Sequence, residues 1–432
     1  MLIINLKSPF QPLGQQPFRN KVEPFLKLVG TQSGFSAALL PLMVILEGLE
    51  ICAHLQASES SRPLAVIVIP CLLTLSTVLV VALIFYSLHK NKERVRSAAA
   101  NFRNDQRAAS MTEAGSGILK AQALLKSWEL PEECVIEGLE FWKTGHYGPI
   151  CKGQLKNRNG SSSAVVVKSL RDNSDQCEVQ EFVDWILFHA TVCKHENVVQ
   201  MLFCQTKAQP FSLILDAYSP GNLLSFLWML RNGESEDPLL HFSERSVFLV
   251  ARQVAAGLDH LMSDHRLVHG DVAARNILIG PDLSARVAGL GLAFGARNPG
   301  SAARRRAAEV PLKWQAPERI MMQLSIDRSD VWSFGILLYE LITLGSAPYP
   351  ELDPQSVLPK LQRSYRMKRP YDCGGPLYDL MRYCWMWSFK DRPAFSAIIK
   401  LLDSSLHLAA TEAICAPELE VSEYNRQAGL AP

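Results

Sequence analysis

Apolar and polar positions divide the chain into two regimes. Leu64 to Leu88, LAVIVIPCLLTLSTVLVVALIFYSL, is a run of 25 residues without a charge. As a helix it reaches roughly 37 Å, enough to cross a ~30 Å hydrocarbon core with some tilt. A core helix of that length would carry a polar stripe, and this run carries none. Beyond about residue 133 the pattern shortens. β-branched runs such as Ala164–Lys168 and Phe211–Leu215 predict strands. Helical periodicity over Ser246–Leu261 and Ser329–Thr343 predicts helices. Strands first and helices after predict an α+β fold in two lobes, the first β-rich and the second helical.

The flanks of the apolar run are unequal. Residues 89–107 hold six Lys/Arg (positions 90, 92, 94, 96, 103 and 107) and two acids, whereas Gln56–Pro63 holds one Arg and one Glu. The positive-inside rule places residues 89–432 in the cytosol. The expected organisation is a short extracytosolic segment (1–63), a single transmembrane helix (64–88), a basic juxtamembrane segment and linker (89–132), a folded domain (133–408) and a tail (409–432). The plasma membrane is the expected location, and the lipid bilayer itself an expected contact. Ser36–Leu46 is apolar but too short to span, and reads as a signal-peptide core or an interfacial helix. Met43 is an alternative start. Of ten Cys, only Cys52 falls on the extracytosolic side, and eight fall in residues 134–415, where thiols stay reduced. A net charge of +2 excludes a dedicated nucleic-acid binder, so no nucleic-acid partner is expected.

The strongest chemical signal is Val268-His269-Gly270-Asp271-Val272-Ala273-Ala274-Arg275-Asn276. An Asp followed five residues later by an Asn, in a loop after a helix, suits phosphoryl transfer: the Asp accepts the proton of an attacking hydroxyl and the Asn holds a metal on the phosphates. Further along stand Pro311-Leu312-Lys313-Trp314-Gln315-Ala316-Pro317-Glu318, Asp330-Val331-Trp332-Ser333-Phe334-Gly335, Thr343–Pro350, Cys384-Trp385 and Asp391-Arg392-Pro393.

With these motifs, residues 133–408 resemble a protein kinase domain of the tyrosine-kinase branch. The resemblance implies the bilobal kinase fold, ATP and Mg²⁺ as cofactors, and a tyrosine-containing protein as substrate. It assigns Asp271 as base, with Arg275, Asn276 and Lys168 as catalytic partners. It places Gly145 and Gly148 in a degraded glycine loop whose first glycine is Lys143. It puts Ile150, Val166, Leu215, Asp216 and Leu278 around the base of the nucleotide, with Lys168 on its phosphates. Structural roles fall to His269, Glu318, Asp330 and Arg392, with Glu318 and Arg392 as a buried ion pair.

Parts of that chemistry are missing. The segment Ala288-Gly289-Leu290-Gly291 carries Gly289 where the family has the Asp of D-F-G, which leaves Asn276 as the one metal ligand. Trp185 stands where the helix C glutamate belongs, with Asp184 beside it and Glu181 a turn earlier. Gly270 replaces the Arg that pairs with a phosphorylated activation loop. That loop, 292–309, holds Ser301 as its only hydroxyl and carries Arg304-Arg305-Arg306. Folding residues kept and a metal ligand lost point to a membrane-tethered pseudokinase. Such a protein scaffolds signalling proteins or receptors in the same membrane, with growth signalling as the implied setting. The alternative is a weak tyrosine kinase using Asp271. Tyr424 is expected in a polar tail after the last helix, where a single tyrosine is usually inert; the alternative is a site for another kinase.

Overall fold

The computed structural model describes Ser76, Leu79 and Tyr86 and residues 117–158, 160–233, 241–298, 310–323 and 325–430. The chain forms two units, Met1–Arg107 and Ala108–Pro432. In the first, the three described residues are helical. The remainder of the expected span, its basic flank and Arg304–Arg306 lie outside the described residues. Among the described residues no helix is long and apolar enough to cross a membrane.

The second unit has two lobes. Five antiparallel strands make the first: β1 (Cys134–Thr144), β2 (Pro149–Asn157), β3 (Ser162–Ser169), β4 (Met201–Gln205) and β5 (Ser212–Asp216), in the order β1-β2-β3-β5-β4. Both β-branched runs seen in the sequence lie in this sheet. Gly145 N–H donates to Gly148 O at 2.7 Å, closing the β1–β2 turn. One helix, α1 (Gln176–Val192), packs beneath the sheet, and the Asp175 side chain caps it by accepting from Glu178 N–H.

The second lobe begins with β6 (Gly221–Asn222) and α2 (Leu223–Arg231). The long α3 (Glu244–Ser263) follows, its start closed by a Ser243–Ser246 capping box. Strands β7 (Ile277–Ile279) and β8 (Ala285–Val287) pair below the cleft. Then come α4 (Gly291–Arg297), α5 (Pro317–Met322), α6 (Asp327–Ile342), α7 (Pro354–Gln362), α8 (Gly375–Cys384), α9 (Phe395–Ser405) and α10 (Val421–Ala428). Helix α6 is buried on nearly every side, and its buried Asp330 and Glu340 carboxylates accept backbone N–H bonds from His269 and Ala274.

Both ends of the unit pack onto it. Residues 117–125 are helical and bury Ala121 and Leu125. The C-terminal segment folds back, with Ile414 N–H donating to Phe242 O at 3.0 Å. Tyr424 and Ala428, four apart on α10, share the buried face. This corrects the expectation for Tyr424: its ring is 1% exposed and meets Trp228 edge-on at 4.8 Å. Lys313 Nζ donates to Tyr349 O at 2.8 Å and to Gln427 O, pinning α10 from below. Gly429, at φ +70°, turns the chain so that Leu430 N–H reaches Asn425 O at 2.9 Å.

Candidate nucleotide site

Between the lobes lies a cleft of about 1270 Å³. Gly145, Gly148, Ile150, Val166, Lys168, Leu215, Asp216 and Leu278 all line it, as do Asp271, Arg275, Asn276, Trp185 and Gly289. The β2–β3–β5 register places Lys168 opposite Ile150 and Leu213. Gly148 approaches the end of β3 so closely that a Cβ there would stand 2.5 Å from Ser169 O, so only glycine fits. The Asp216 carboxylate turns aside to accept from Arg286 Nη1 at 2.8 Å.

Across the cleft the loop 269–276 is held by its own hydrogen bonds. Asn276 Nδ2 donates to Asp271 O at 2.8 Å and to Asp271 Oδ2 at 2.7 Å, and Arg275 Nη2 donates to Asp271 Oδ1. Both carboxylate oxygens of Asp271 are therefore engaged. His269 and Gly270 each give a backbone N–H to the buried Asp330 carboxylate, at 2.6 and 2.8 Å. His269 Nε2 lies 2.7 Å from Ala288 O, tying the loop to the Gly289 segment.

The residues present do not fit a Mg²⁺ site. Gly289 lies at φ +76° and offers no carboxylate, and a Cβ there would meet Asn276 Cγ and Oδ1 at 2.7 Å. The Asn276 side chain thus fills the space in which a ligand from position 289 would stand. Mg²⁺ is held in such sites by carboxylates together with phosphate oxygens. Here the carboxylate of this loop, Asp271, is tied to Arg275 and Asn276. Among the described residues no cluster of three or more His, Cys, Asp or Glu suits a metal.

An aromatic cluster lies near Lys168. Trp185 stacks on Phe188 (5.6 Å, 8°) and meets Phe294 of α4 edge to face at 5.0 Å. His189 lies edge-on to Trp185 at 4.2 Å, and its Nδ1 is 2.9 Å from Trp185 O. Burial, and then the nearby Lys168 charge, bring the His189 imidazole down to about 3, so it is neutral. Asp184 does not reach Lys168: its Oδ1 accepts from Gln180 Nε2 at 2.9 Å, on a neighbouring face of α1. Glu181 instead accepts from Tyr147 OH at 3.1 Å, joining the glycine turn to α1. Among the described residues Lys168 has no ion pair or hydrogen-bond partner. Burial first, then repulsion from Lys143, lower its ammonium to about 8.

Residues 139–402 match the family pattern described as Protein tyrosine and serine/threonine kinase. The chain belongs to this kinase family. It is similar to Tyrosine-protein kinase STYK1 of Homo sapiens, also called novel oncogene with kinase domain, with 40% identity over 311 residues. That match covers 71% of this chain and 73% of the relative. Identity to Tyrosine-protein kinase STYK1 of Mus musculus is 39% over 320 residues, 73% of this chain and 74% of the relative. Tyrosine kinase receptor Cad96Ca of Drosophila melanogaster is 32% identical over 291 residues, 65% of this chain and 37% of that protein. Kinases of this family use ATP and Mg²⁺ in general.

The scaffold of the kinase domain is strongly tied. Arg392 grips Glu318 with both terminal nitrogens, at 2.8 and 2.9 Å, and Ser329 Oγ adds a bond of 2.7 Å to Glu318 Oε1. Burial alone would raise the Glu318 carboxyl; the Arg392 guanidinium and the Ser329 hydroxyl outweigh it and hold the group below its ordinary value. Gly270, at φ +82°, leaves room that Arg319 fills, its Nη1 donating to Gly270 O. A guanidinium thus enters from α5 where the catalytic loop lacks one.

Several site residues escape sequence reasoning. Lys143, Lys152 and Trp142 line the cleft, yet the motif treats position 143 only as a missing glycine. Trp142 carries both cations, with Lys143 Nζ at 4.2 Å and Lys152 Nζ at 4.8 Å from its ring centroid. Strand alternation gives no signal for this, because Trp142 and Lys143 are adjacent and meet at a register shift between Phe141 and Lys143. Arg319 and Phe294 had no signal of their own.

Proposed function

We propose that this chain is a membrane-tethered, nucleotide-binding pseudokinase that acts through its surfaces on signalling proteins or receptors in the same bilayer. The observation that carries the catalytic part is the pairing of Gly289 with Asn276. The position that supplies a metal carboxylate to kinases is here packed against an amide, and a family active site deprived of one charge-stabilising group loses a few powers of ten in rate. The aromatic cluster around Trp185 supports the same reading, because it takes the place of the ion pair that orients Lys168. The uncharged run 64–88 and its basic flank support the tether, with residues 89–432 in the cytosol and the plasma membrane as its location.

A second reading, a weak protein tyrosine kinase with Asp271 as base, is favoured by one observation: Asp271, Arg275 and Asn276 are held together by direct hydrogen bonds. The experiment that separates the two compares the purified full chain with Asp271→Asn in a radiolabelled phosphate-transfer assay against a tyrosine polymer. A pseudokinase shows no transfer that Asp271→Asn removes. Transfer abolished by that substitution establishes the weak enzyme instead. Protease protection on sealed membranes checks the topology; digestion of residues 89–432 from the lumenal side would overturn the proposed orientation.

A further inference from the structure

The charges lining the cleft do not balance. Three carboxylates face it: Glu140, Asp216 and Asp271. Asp216 is neutralised by Arg286, and Asp271 by Arg275. Against the remaining Glu140 stand Lys143, Lys152 and Lys168, none of which has an ion-pair partner among the described residues. Nor are they randomly disposed. Trp142 holds Lys143 and Lys152 against its ring at the cleft mouth, which fixes two long side chains that would otherwise sweep solvent. Lys168 stands deeper, on β3, close enough to Lys143 for the two charges to repel. Two like charges with no ion pair among the described residues favour an anion that reaches both.

We propose that Lys143 and Lys168 bind the polyphosphate of a nucleotide directly, in place of a divalent cation, with Lys152 adding attraction at the entrance. This rests on the nucleotide-binding reading above. The two sides of the cleft agree on it. The metal side has lost its carboxylate at Gly289 and closed the gap with Asn276. The strand side has gained a cation at position 143, where the family's glycine supplies only a backbone N–H. A cation on the protein and a cation on the ligand would compete for the same phosphate oxygens, so the metal-free nucleotide, which carries more negative charge, is the preferred form.

The test measures equilibrium binding of ATP and of adenosine to the purified full chain, each in EDTA and in excess Mg²⁺. ATP in EDTA is expected to bind at least tenfold more tightly than adenosine, and Mg²⁺ to weaken ATP while leaving adenosine unchanged. Lys143→Gln, at an exposed strand position, is expected to weaken ATP by about tenfold and leave adenosine alone. Lys143→Arg should retain most of the ATP affinity. Unchanged adenosine binding shows that each variant is folded. ATP binding that requires Mg²⁺, or ATP affinity unaffected by Lys143→Gln, overturns the proposal while leaving nucleotide binding intact. Failure of both ligands in both buffers overturns nucleotide binding itself, and this site with it.

Discussion

Trp185 of α1 and Phe294 of α4 meet edge to face, with ring centroids 5.0 Å apart. This contact welds the start of the activation segment to the helix that in active kinases donates a glutamate. Trp185 is thereby held in a hydrophobic cluster, and Lys168 has no ion pair among the described residues. Restoring the glutamate would place a carboxylate among Trp185's neighbours Phe188, His189 and Phe294. Trp185→Glu is therefore expected to cost about 3 kcal/mol of stability and to yield no phosphate transfer. Urea unfolding of the full chain checks the first point. A variant as stable as the parent would mean that the carboxylate finds Lys168.

Gly289→Asp puts back the family's metal ligand in name only. The backbone at φ +76° disfavours a side chain, and the new Cβ would stand 2.7 Å from Asn276. The expected result is a lower Tm and no Mg²⁺-dependent transfer. Recovery of transfer would show that Asn276 yields readily.

Gly270→Arg faces a similar obstacle. A Cβ there would lie 3.3 Å from Arg319 Nη1 on a backbone at φ +82°, and the added guanidinium would repel the one already present. A loss of about 1–3 kcal/mol is expected. Combining it with Arg319→Ala should recover part of that loss in a double-mutant cycle, whereas strict additivity would deny the two positions any shared space.

Lys168 gives a pH signature. Its folded value, about 8, lies below the ordinary 10.5. Between those values the unfolded chain holds the proton more tightly than the folded one, so folding stability rises as pH climbs through that window. Below about pH 8 the charged ammonium is a burden on the ligand-free fold. Lys168→Met is expected to raise Tm at pH 7, with the advantage shrinking by pH 10. A variant less stable than the parent at pH 7 would contradict this.

Tyr371 is 100% exposed and Tyr424 is 1% exposed. Incubation of the folded chain with an added tyrosine kinase should therefore modify Tyr371 and spare Tyr424, as read by mass spectrometry of the peptides. Equal modification of both would mean that α10 opens readily from the domain.

The motifs that identify the family were legible because each is a short linear pattern whose residues act near one another: His269 to Asn276, or Glu318 with its helix. The losses at Gly289, Trp185 and Gly270 were legible as gaps in those patterns. What filled the gaps was not, because the fillers come from elsewhere in the chain. Phe294 reaches Trp185, Arg319 reaches Gly270, and Asn276 closes on Gly289 only once the lobes are folded. Asp184 stands next to Trp185 in sequence, but on a helix neighbours point about 100° apart, and the Gln180 amide donates to Asp184. The tail misled for the opposite reason. Its composition is polar, yet two residues four apart were enough to bury one face of α10.

The docking of α10 bears on how the chain matures. Synthesis proceeds from the N-terminus at about 5–20 residues per second, and domains fold as they emerge. The residues that cover Trp228 and engage Lys313 follow the rest of the second lobe in the chain, so they emerge later than the groove they cover. Until they do, the second lobe carries an uncovered groove. A nonsense or frameshift lesion upstream of Val421 would leave that groove bare for the life of the protein. Such lesions, though far from Asp271 in sequence, should mark the product for chaperones and degradation rather than merely trim a tail.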